Sequence, residues 1–287
     1  MLYVVATPIG NLGDMSPRAV ETLRGVDLIA AEDTRHTMKL LTHFDIRTAM
    51  TSLHEHNEQG KSAAIVRRMV EEGISVALVT DAGTPAVSDP GAILVREAVQ
   101  AGIEILAVPG PSAAVAALSV SGFVVGQFAF YGFPPREKKA LRAYLAALAG
   151  RDEAAILYES PRRTGALLQA VLDSLGDVPL SLSCDLTKLH EKTLRGPVSA
   201  VLADFLANDK AEKGEYVMVL DLRGTARPQE ATAAAVGLEA QLLDLCLSGL
   251  SLQEAMTALT ACGERKNAVY AASLRLKQLL TDDALKA

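Results

Sequence analysis

The sequence predicts an α/β fold, two α/β domains followed by a small C-terminal helical one, and three observations predict it. Short apolar, β-branched runs alternate with helical stretches from residue 1 to 120, as in a parallel sheet wrapped by helices. From Phe128 onward short strands are joined by turns in a more antiparallel manner. After Gly224 the chain becomes alanine- and leucine-rich with helical spacing. The expected domains are 1–120, 121–224 and 225–287, with Ser121, Gly122 and Gly126 marking the first crossing and Gly224 to Gln229 forming a linker before the third.

Taken in order, Leu2 to Ala6 is the first strand, and Thr7 to Asp14 is a glycine-bearing turn. Ser16 and Pro17 then start a helix to Arg24, and Leu28 to Ala31 is the second strand. This βαβ unit lacks the Gly-x-Gly-x-x-Gly spacing of a dinucleotide site, although Glu32 and Asp33 stand where a ribose-binding acid would be. A helix over 37–42, a strand from Met50 to Leu53 and a helix from Gly60 to Glu72 lead to the run Ile74 to Val79, half of it β-branched. There the periodicity stops in Asp81, Gly83, Thr84 and Pro85.

A loop at a strand's carboxyl end is where open α/β sheets bind ligands, and Gly83 leaves its backbone approachable. It is equally the composition of an ordinary tight turn. Asp89 reads as an N-cap with Pro90 at the first helical position. Ile103 to Val108 leads into a second such loop, Pro109 to Ala113, whose small Ser112 and Ala113 leave room for a flat ligand or simply cap the next helix. Two strand-end loops of this kind can line one cleft.

Further strands are expected at Phe128 to Phe133, Ala155 to Tyr158, Leu180 to Cys184, Thr193 to Leu194 and Tyr216 to Leu222, with helices over 137–149, 162–174 and 198–207. In the last domain Ser251 and Glu254 have capping-box spacing, Cys262 and Gly263 end that helix, and Arg265 to Lys277 form another. Two helices joined this way suit a helix-turn-helix or any small bundle.

At 287 residues, 49% of them hydrophobic, the chain can bury a sizeable core. Its longest apolar runs fall short of the ~18 residues that would span a membrane, and it opens on a strand without a basic leader, so the expected location is the cytoplasm with no membrane contact. Cys184, Cys246 and Cys262 are odd in number and scattered, which suits reduced thiols. With 28 basic and 34 acidic residues the net charge is −6, which excludes a protein that coats nucleic acid over its whole surface. Any such contact must be local. Arg136, Lys138, Lys139 and Arg142 after a Pro-Pro turn, and Arg162 at another helix start, are the concentrated positive charge, readable as solvated faces or as phosphate contacts.

Two polar stretches carry possible chemistry. Glu32, Asp33, Arg35 and His36 follow the second strand, and His54, Glu55, His56, Asn57 and Glu58 follow the next. If residues 54–56 are extended, His54 and His56 share a face, but no third ligand accompanies them and no metal is expected. Helix caps and solvated loop charges account for the same residues.

The stretches VATPIGNLGDMSPRA, AEDTRHT, HEHNE, VTDAGTPAVSDPG, VPGPSA, YGFPPR, YESPRR and GEYVMV, in this order over residues 1–222, resemble the ribosomal RNA-methylating branch of the tetrapyrrole methyltransferases. The resemblance implies two α/β domains with S-adenosylmethionine in the cleft between them. It also implies 2′-O-methylation of a cytidine ribose in the decoding region of 16S rRNA within the small ribosomal subunit, by a homodimer in a bacterial cytoplasm. Cofactor contacts carried over by the resemblance are Pro8, Asp81, Ala82, Gly83, Val87, Ser112, Ala113, Tyr158 and Tyr216. Asp81 to Pro85 stands where many tetrapyrrole enzymes have Gly-Asp-Pro, which disfavours a porphyrin substrate. Arg35 joins Arg136, Lys138, Lys139, Arg142 and Arg162 as expected RNA contacts, and Asp33, His54 and His56 are general-base candidates by residue type. A small-molecule methyltransferase on the same fold and a non-catalytic RNA-binding protein are the alternatives.

Overall fold

Strand register joins the first five strands into one parallel sheet. The computed structural model describes residues 1–225 and 237–281, and the chain divides into a unit of Met1–Thr225 and a second of Ala226–Ala287. The linker expected at Gly224 to Gln229 therefore lies mostly outside the described residues.

The first sheet takes β1 (Leu2–Val5), β2 (Leu28–Ala31), β3 (Met50–Ser52), β4 (Val76–Val79) and β5 (Ile105–Val108) in the order β3-β2-β4-β1-β5, each neighbouring pair parallel. Parallel neighbours need crossovers, here α1 (Pro17–Gly25), α2 (Thr34–His43), α3 (Glu58–Glu71) and α4 (Ala92–Gln100). Side chains alternate between the two faces. Ile29, Ala31, Ala77 and Val79 pack with Ala19 and Leu23 of α1 and Leu41 of α2, while Leu28, Ala30, Val76 and Leu78 pack with Ile65 and Met69 of α3 and Leu94 and Ala98 of α4. Burial on both faces explains why β2 and β4 are apolar at every position.

Next come α5 (Ala113–Ser119), β6 (Phe128–Gly132), α6 (Lys138–Leu148), β7 (Ala154–Glu159), α7 (Pro161–Leu175), β8 (Pro179–Cys184), β9 (Lys192–Pro197), α8 (Val198–Leu206) and β10 (Tyr216–Asp221). The second sheet runs β6-β7-β10-β8-β9, with β6 and β7 parallel and the other pairs antiparallel. One face, with Ala155, Leu157, Tyr216, Met218 and Leu220, is covered by Leu145 and Leu148 of α6, Leu167 and Val171 of α7, and Val201 and Phe205 of α8. The other face is covered by α5, whose Ala114 and Ala117 pack with Ile156, Val217 and Val219. The helix that leaves β5 of the first sheet thus belongs to the core of the second.

In the second unit α9 (Leu238–Leu247), α10 (Leu252–Ala261) and α11 (Lys266–Thr281) bury Leu242, Ala255, Leu259, Val269, Ala272 and Leu276 together. The capping box is complete: Glu254 N donates to Ser251 Oγ at 3.4 Å and Ser251 N to Glu254 Oε2 at 2.8 Å. Among the described residues no helix is long and apolar enough to cross a membrane.

Two of the helix starts that differ from the sequence expectation bear on the site. α2 begins at Thr34 rather than Thr37, because Asp33 caps it by accepting from Arg35 N at 2.8 Å. α4 begins at Ala92, not Pro90, and its N-cap is Gly91 rather than Asp89. The cap function passes to Glu58, a buried carboxylate whose Oε1 accepts from both Gly91 N and Ile93 N at 2.8 Å. Replacing Glu58 with Ala leaves these donors without their acceptor and is expected to lower stability by about 2–3 kcal/mol, with Glu58→Gln recovering part of the loss, as read from denaturant unfolding midpoints.

Candidate functional site

Because β4, β1 and β5 are adjacent, the loops leaving their carboxyl ends share one edge of the first sheet. Thr7 and Gly83 lock two of them together as an isolated bridge, Thr7 N donating to Gly83 O at 2.9 Å and Gly83 N to Thr7 O at 3.1 Å. The Thr7 hydroxyl donates to Thr80 O at 3.0 Å, and the Thr84 hydroxyl donates to Pro111 O at 3.2 Å, which brings in the third loop. Gly83 has φ +87, a backbone conformation that side chains with a Cβ rarely adopt. Gly10 serves a close approach: a Cβ there would meet Lys188 Cγ at 2.7 Å, so its absence lets the turn after β8 sit against the turn after β1.

A cavity of about 500 Å³ opens on this edge, within the range of small-ligand sites. Pro8, Ile9 and Leu12 line it from the β1 loop, Thr80, Asp81 and Ala82 from the β4 loop, and His36, Lys39 and Leu40 from α2. Lys188 and Glu215 close it from the second sheet, the ammonium 3.0 Å from Glu215 Oε2 and 2.9 Å from Asp185 Oδ1.

Three carboxylates gather here. Glu32 Oε2 accepts from the Thr80 hydroxyl at 2.6 Å and from Asp81 N at 3.3 Å, and Asp81 Oδ1 accepts from Asp33 N at 3.2 Å. Asp89 hydrogen-bonds with the Thr80 side chain, and its charge is felt at Tyr158. Burial raises the Asp81 carboxyl above its ordinary value. Burial, with the Glu32 and Asp81 charges added, pushes Asp89 up to about 6. Among the described residues none of these three carboxylates has an ion-pair partner; Arg35 and Lys188 pair with other acids. Asp89 was read from sequence as a helix cap, and only its placement against two other acids distinguishes it.

The residues expected to hold a cofactor divide between two sides of the β4 loop. Pro8, Asp81 and Ala82 line the cavity, whereas Ala113 and Tyr158 pack together on the other side, the Tyr158 ring edge-on to Phe130 at 4.7 Å and Phe133 at 5.6 Å. Gly83 is buried at the bridge, Val87 is exposed, and Ser112 is half-buried as the N-cap residue of α5, with no side-chain hydrogen bond to that helix. Tyr216 stands apart. Alternation along β10 turns its ring to the opposite face of the second sheet, against Phe205 at 5.5 Å.

Two of the three expected acid-base residues, Asp33 and His54, are engaged in structure. Asp33 caps α2 and holds Arg35 at 2.6 Å, and the guanidinium keeps its carboxyl well below the usual range. Residues 54–56 are not extended as their shared face required; they form a turn, in which Asn57 Oδ1 accepts from His54 N at 2.9 Å and Asn57 Nδ2 lies 3.0 Å from His54 Nε2. His56 is exposed, its ring 6.1 Å from that of His54. His36, read from sequence only as part of a polar stretch, and Lys39, which carried no sequence signal, line the cavity from α2.

The basic residues fare differently. β6 and β7 are parallel neighbours, so their carboxyl ends emerge side by side, and Arg163 ties them by donating to Pro135 O at 3.1 Å while pairing with buried Glu159 at 3.2 Å. Arg136, Lys138, Lys139, Arg142 and Arg162 are all exposed there, without an ion pair among the described residues. Arg35 is exposed at α2, committed to Asp33.

Over residues 1–202 the chain matches the family described as tetrapyrrole (corrin/porphyrin) methylases. It is 43% identical over 256 residues to ribosomal RNA small subunit methyltransferase I of Synechocystis sp., covering 89% of this chain and 90% of that protein. It is 40% identical over 272 residues to the protein of the same name from Vibrio cholerae, covering 94% and 93%. Among solved structures it is similar to uroporphyrin-III-C-methyltransferase from Thermus thermophilus, with a TM-score of 0.52 and 19% identity over 77% of this chain and 94% of that one, a likeness of fold.

The raised Asp89 carboxyl has a stability signature. Its protonated form is favoured in the folded state, so its contribution is fully present below the ordinary value of 3.8 and is lost as pH rises through about 6. Asp89→Asn removes the ionisation. The variant is expected to melt at a higher temperature than the parent at pH 8, with the gap closing as the pH falls toward 4, in a series of thermal unfolding curves.

Proposed function

The chain belongs to the tetrapyrrole (corrin/porphyrin) methylases, alongside relatives named ribosomal RNA small subunit methyltransferase I, and on this basis we propose that it methylates small-subunit ribosomal RNA from S-adenosylmethionine. The observation that carries the reading is the group Glu32, Asp81 and Asp89, none of them in an ion pair among the described residues, with Asp81 lining a 500 Å³ cavity. Such a site suits a ligand with cationic centres, and a sulfonium amino acid derivative has two. Pro8, Asp81 and Ala82 would hold it from the cavity side, and Gly83, Val87, Ser112, Ala113 and Tyr158 from the other side of the loop.

Bound S-adenosylmethionine supplies an electrophilic methyl group. The protein's part is then to hold an attacking oxygen in line and to accept its proton. Asp89 suits the second task better than Asp33, His54 or His56. It is half-buried, its carboxyl is not tied up in an ion pair, and with its carboxyl pushed up to about 6 it is ionised yet basic at neutral pH.

The finer reading is a cytidine 2′-hydroxyl in the decoding region of 16S rRNA, acted on by a homodimer in the cytoplasm, where ribosomal subunits are found. The exposed cluster Arg136, Lys138, Lys139, Arg142 and Arg162 supports an RNA substrate, since it adjoins Phe133 beside Tyr158. Exposed Leu106, Val115, Val120, Val124 and Phe128, in a single stretch between two edge strands, support a partner subunit.

Small ribosomal subunits lacking the modification, incubated with methyl-labelled cofactor and the protein, are expected to take up label in their RNA at one nucleotide. No incorporation with any small-subunit substrate would overturn the reading. Turnover should rise with pH through about 6 and then level, and Asp89→Asn should lower it by ~10²-fold with the pH step removed. Ala113→Leu should weaken cofactor binding in calorimetry by filling the space beside Tyr158.

A further inference from the structure

A second cavity, of about 320 Å³, lies on the far side of the turn that closes the first. Leu182, Leu194, Phe205 and Tyr216 form its floor, with Phe205 and Tyr216 packed edge to face. Lys192, Lys210 and Lys213 stand on its rim, exposed, and among the described residues none of them is in an ion pair. Of the two acids that also line it, Asp185 is neutralised by Lys188 at 2.9 Å, which leaves Asp204 against three lysines and His190. On a chain of net charge −6 this is a local reversal of sign around an apolar floor.

Position adds to composition. Asp185 and Tyr216 belong to the second cavity, while Lys188 and Glu215, three residues and one residue away, close the first. The ion pairs of Lys188 with Asp185 and Glu215 are therefore the wall between the two cavities.

We propose that the cavity rimmed by Lys192, Lys210 and Lys213 holds a nucleotide of the RNA substrate next to the methylated one, its base on the Leu194, Phe205 and Tyr216 floor and its phosphates against the lysines. The volume sits at the small end of ligand sites, the size for one base rather than a folded element. An apolar floor beside exposed ammonium groups matches a nucleotide, whose base is apolar on its faces and whose phosphate carries the charge. An acidic peptide would use the lysines and leave the floor uncovered. This assignment rests on the proposed RNA methylation and names a part of its substrate site.

The test replaces Lys192, Lys210 and Lys213 together with Ala, and separately with Arg, in the full chain. Binding to small-subunit RNA is measured across a salt series, along with KM for the RNA and affinity for S-adenosylmethionine. The Ala variant is expected to raise KM by ~10-fold or more and to reduce the salt slope by about 2, near the ~0.7 per phosphate contact of single strands, with cofactor affinity unchanged. The Arg variant should keep the parent slope. If the parent methylates the RNA and the Ala variant matches it in KM and slope, the second cavity takes no part in RNA binding and the methyltransferase reading stands. If the parent does not methylate it, both fall.

Discussion

The two hydrogen bonds between Thr7 and Gly83 are the constraint on which the site depends. β1 and β4 are already neighbours in the sheet, but strand pairing ends at their last residues and leaves the following loops free to splay. The bridge continues the pairing by one step, in antiparallel sense, and so fixes where Pro8 and Asp81 to Thr84 lie relative to each other. Thr84 then reaches Pro111 and binds the β5 loop to the same frame. Polar backbone in a half-buried loop needs partners, and here the loops use one another.

That frame decides the electrostatics. Glu32 at the end of β2, Asp81 after β4 and Asp89 further along the same loop converge on Thr80, and among the described residues none is in an ion pair. A structure optimised only for stability would place a lysine or arginine among them, since clustered buried acids raise one another's protonation. Arg35, the nearest candidate, is held by Asp33 instead. Asp33, a base candidate by residue type, has a structural duty instead as the cap of α2, and Glu58 of the second polar stretch caps α4. The HEHNE stretch so supports the β4 loop from behind, anchoring the helix that follows it.

The second sheet contributes through α5. By crossing from the first sheet to cover Ile156, Val217 and Val219, this helix makes the core of one half depend on the loop chemistry of the other. It also sets Tyr158 beside Ala113, and the parallel pairing of β6 with β7 puts the exposed basic residues at that same edge. Charge of opposite sign is thereby kept apart: acids at the first sheet's loops, cations at the helix starts of the second.

Much of this was determined by sequence alone. The apolar runs and turn residues placed nearly every strand to within two residues, because burial on both faces and the breaking of periodicity are local signals; the motif resemblance pointed to the family and its cofactor. The loops at 81–87 and 109–113 were legible as strand-end loops for the same reason. What the tertiary structure decided was the use of each polar residue. Whether Asp89 is a helix cap or a poised carboxyl depends on how close Glu32 and Asp81 come, and these lie 57 and 8 positions away in the chain. Which face Tyr216 occupies depends on register, and whether Lys192, Lys210 and Lys213 share a cavity depends on β8, β9, β10 and α8 meeting. Hydrophobic periodicity is written along the chain, whereas the environment of a charge is set by neighbours distant in sequence, and only the folded chain brings those together.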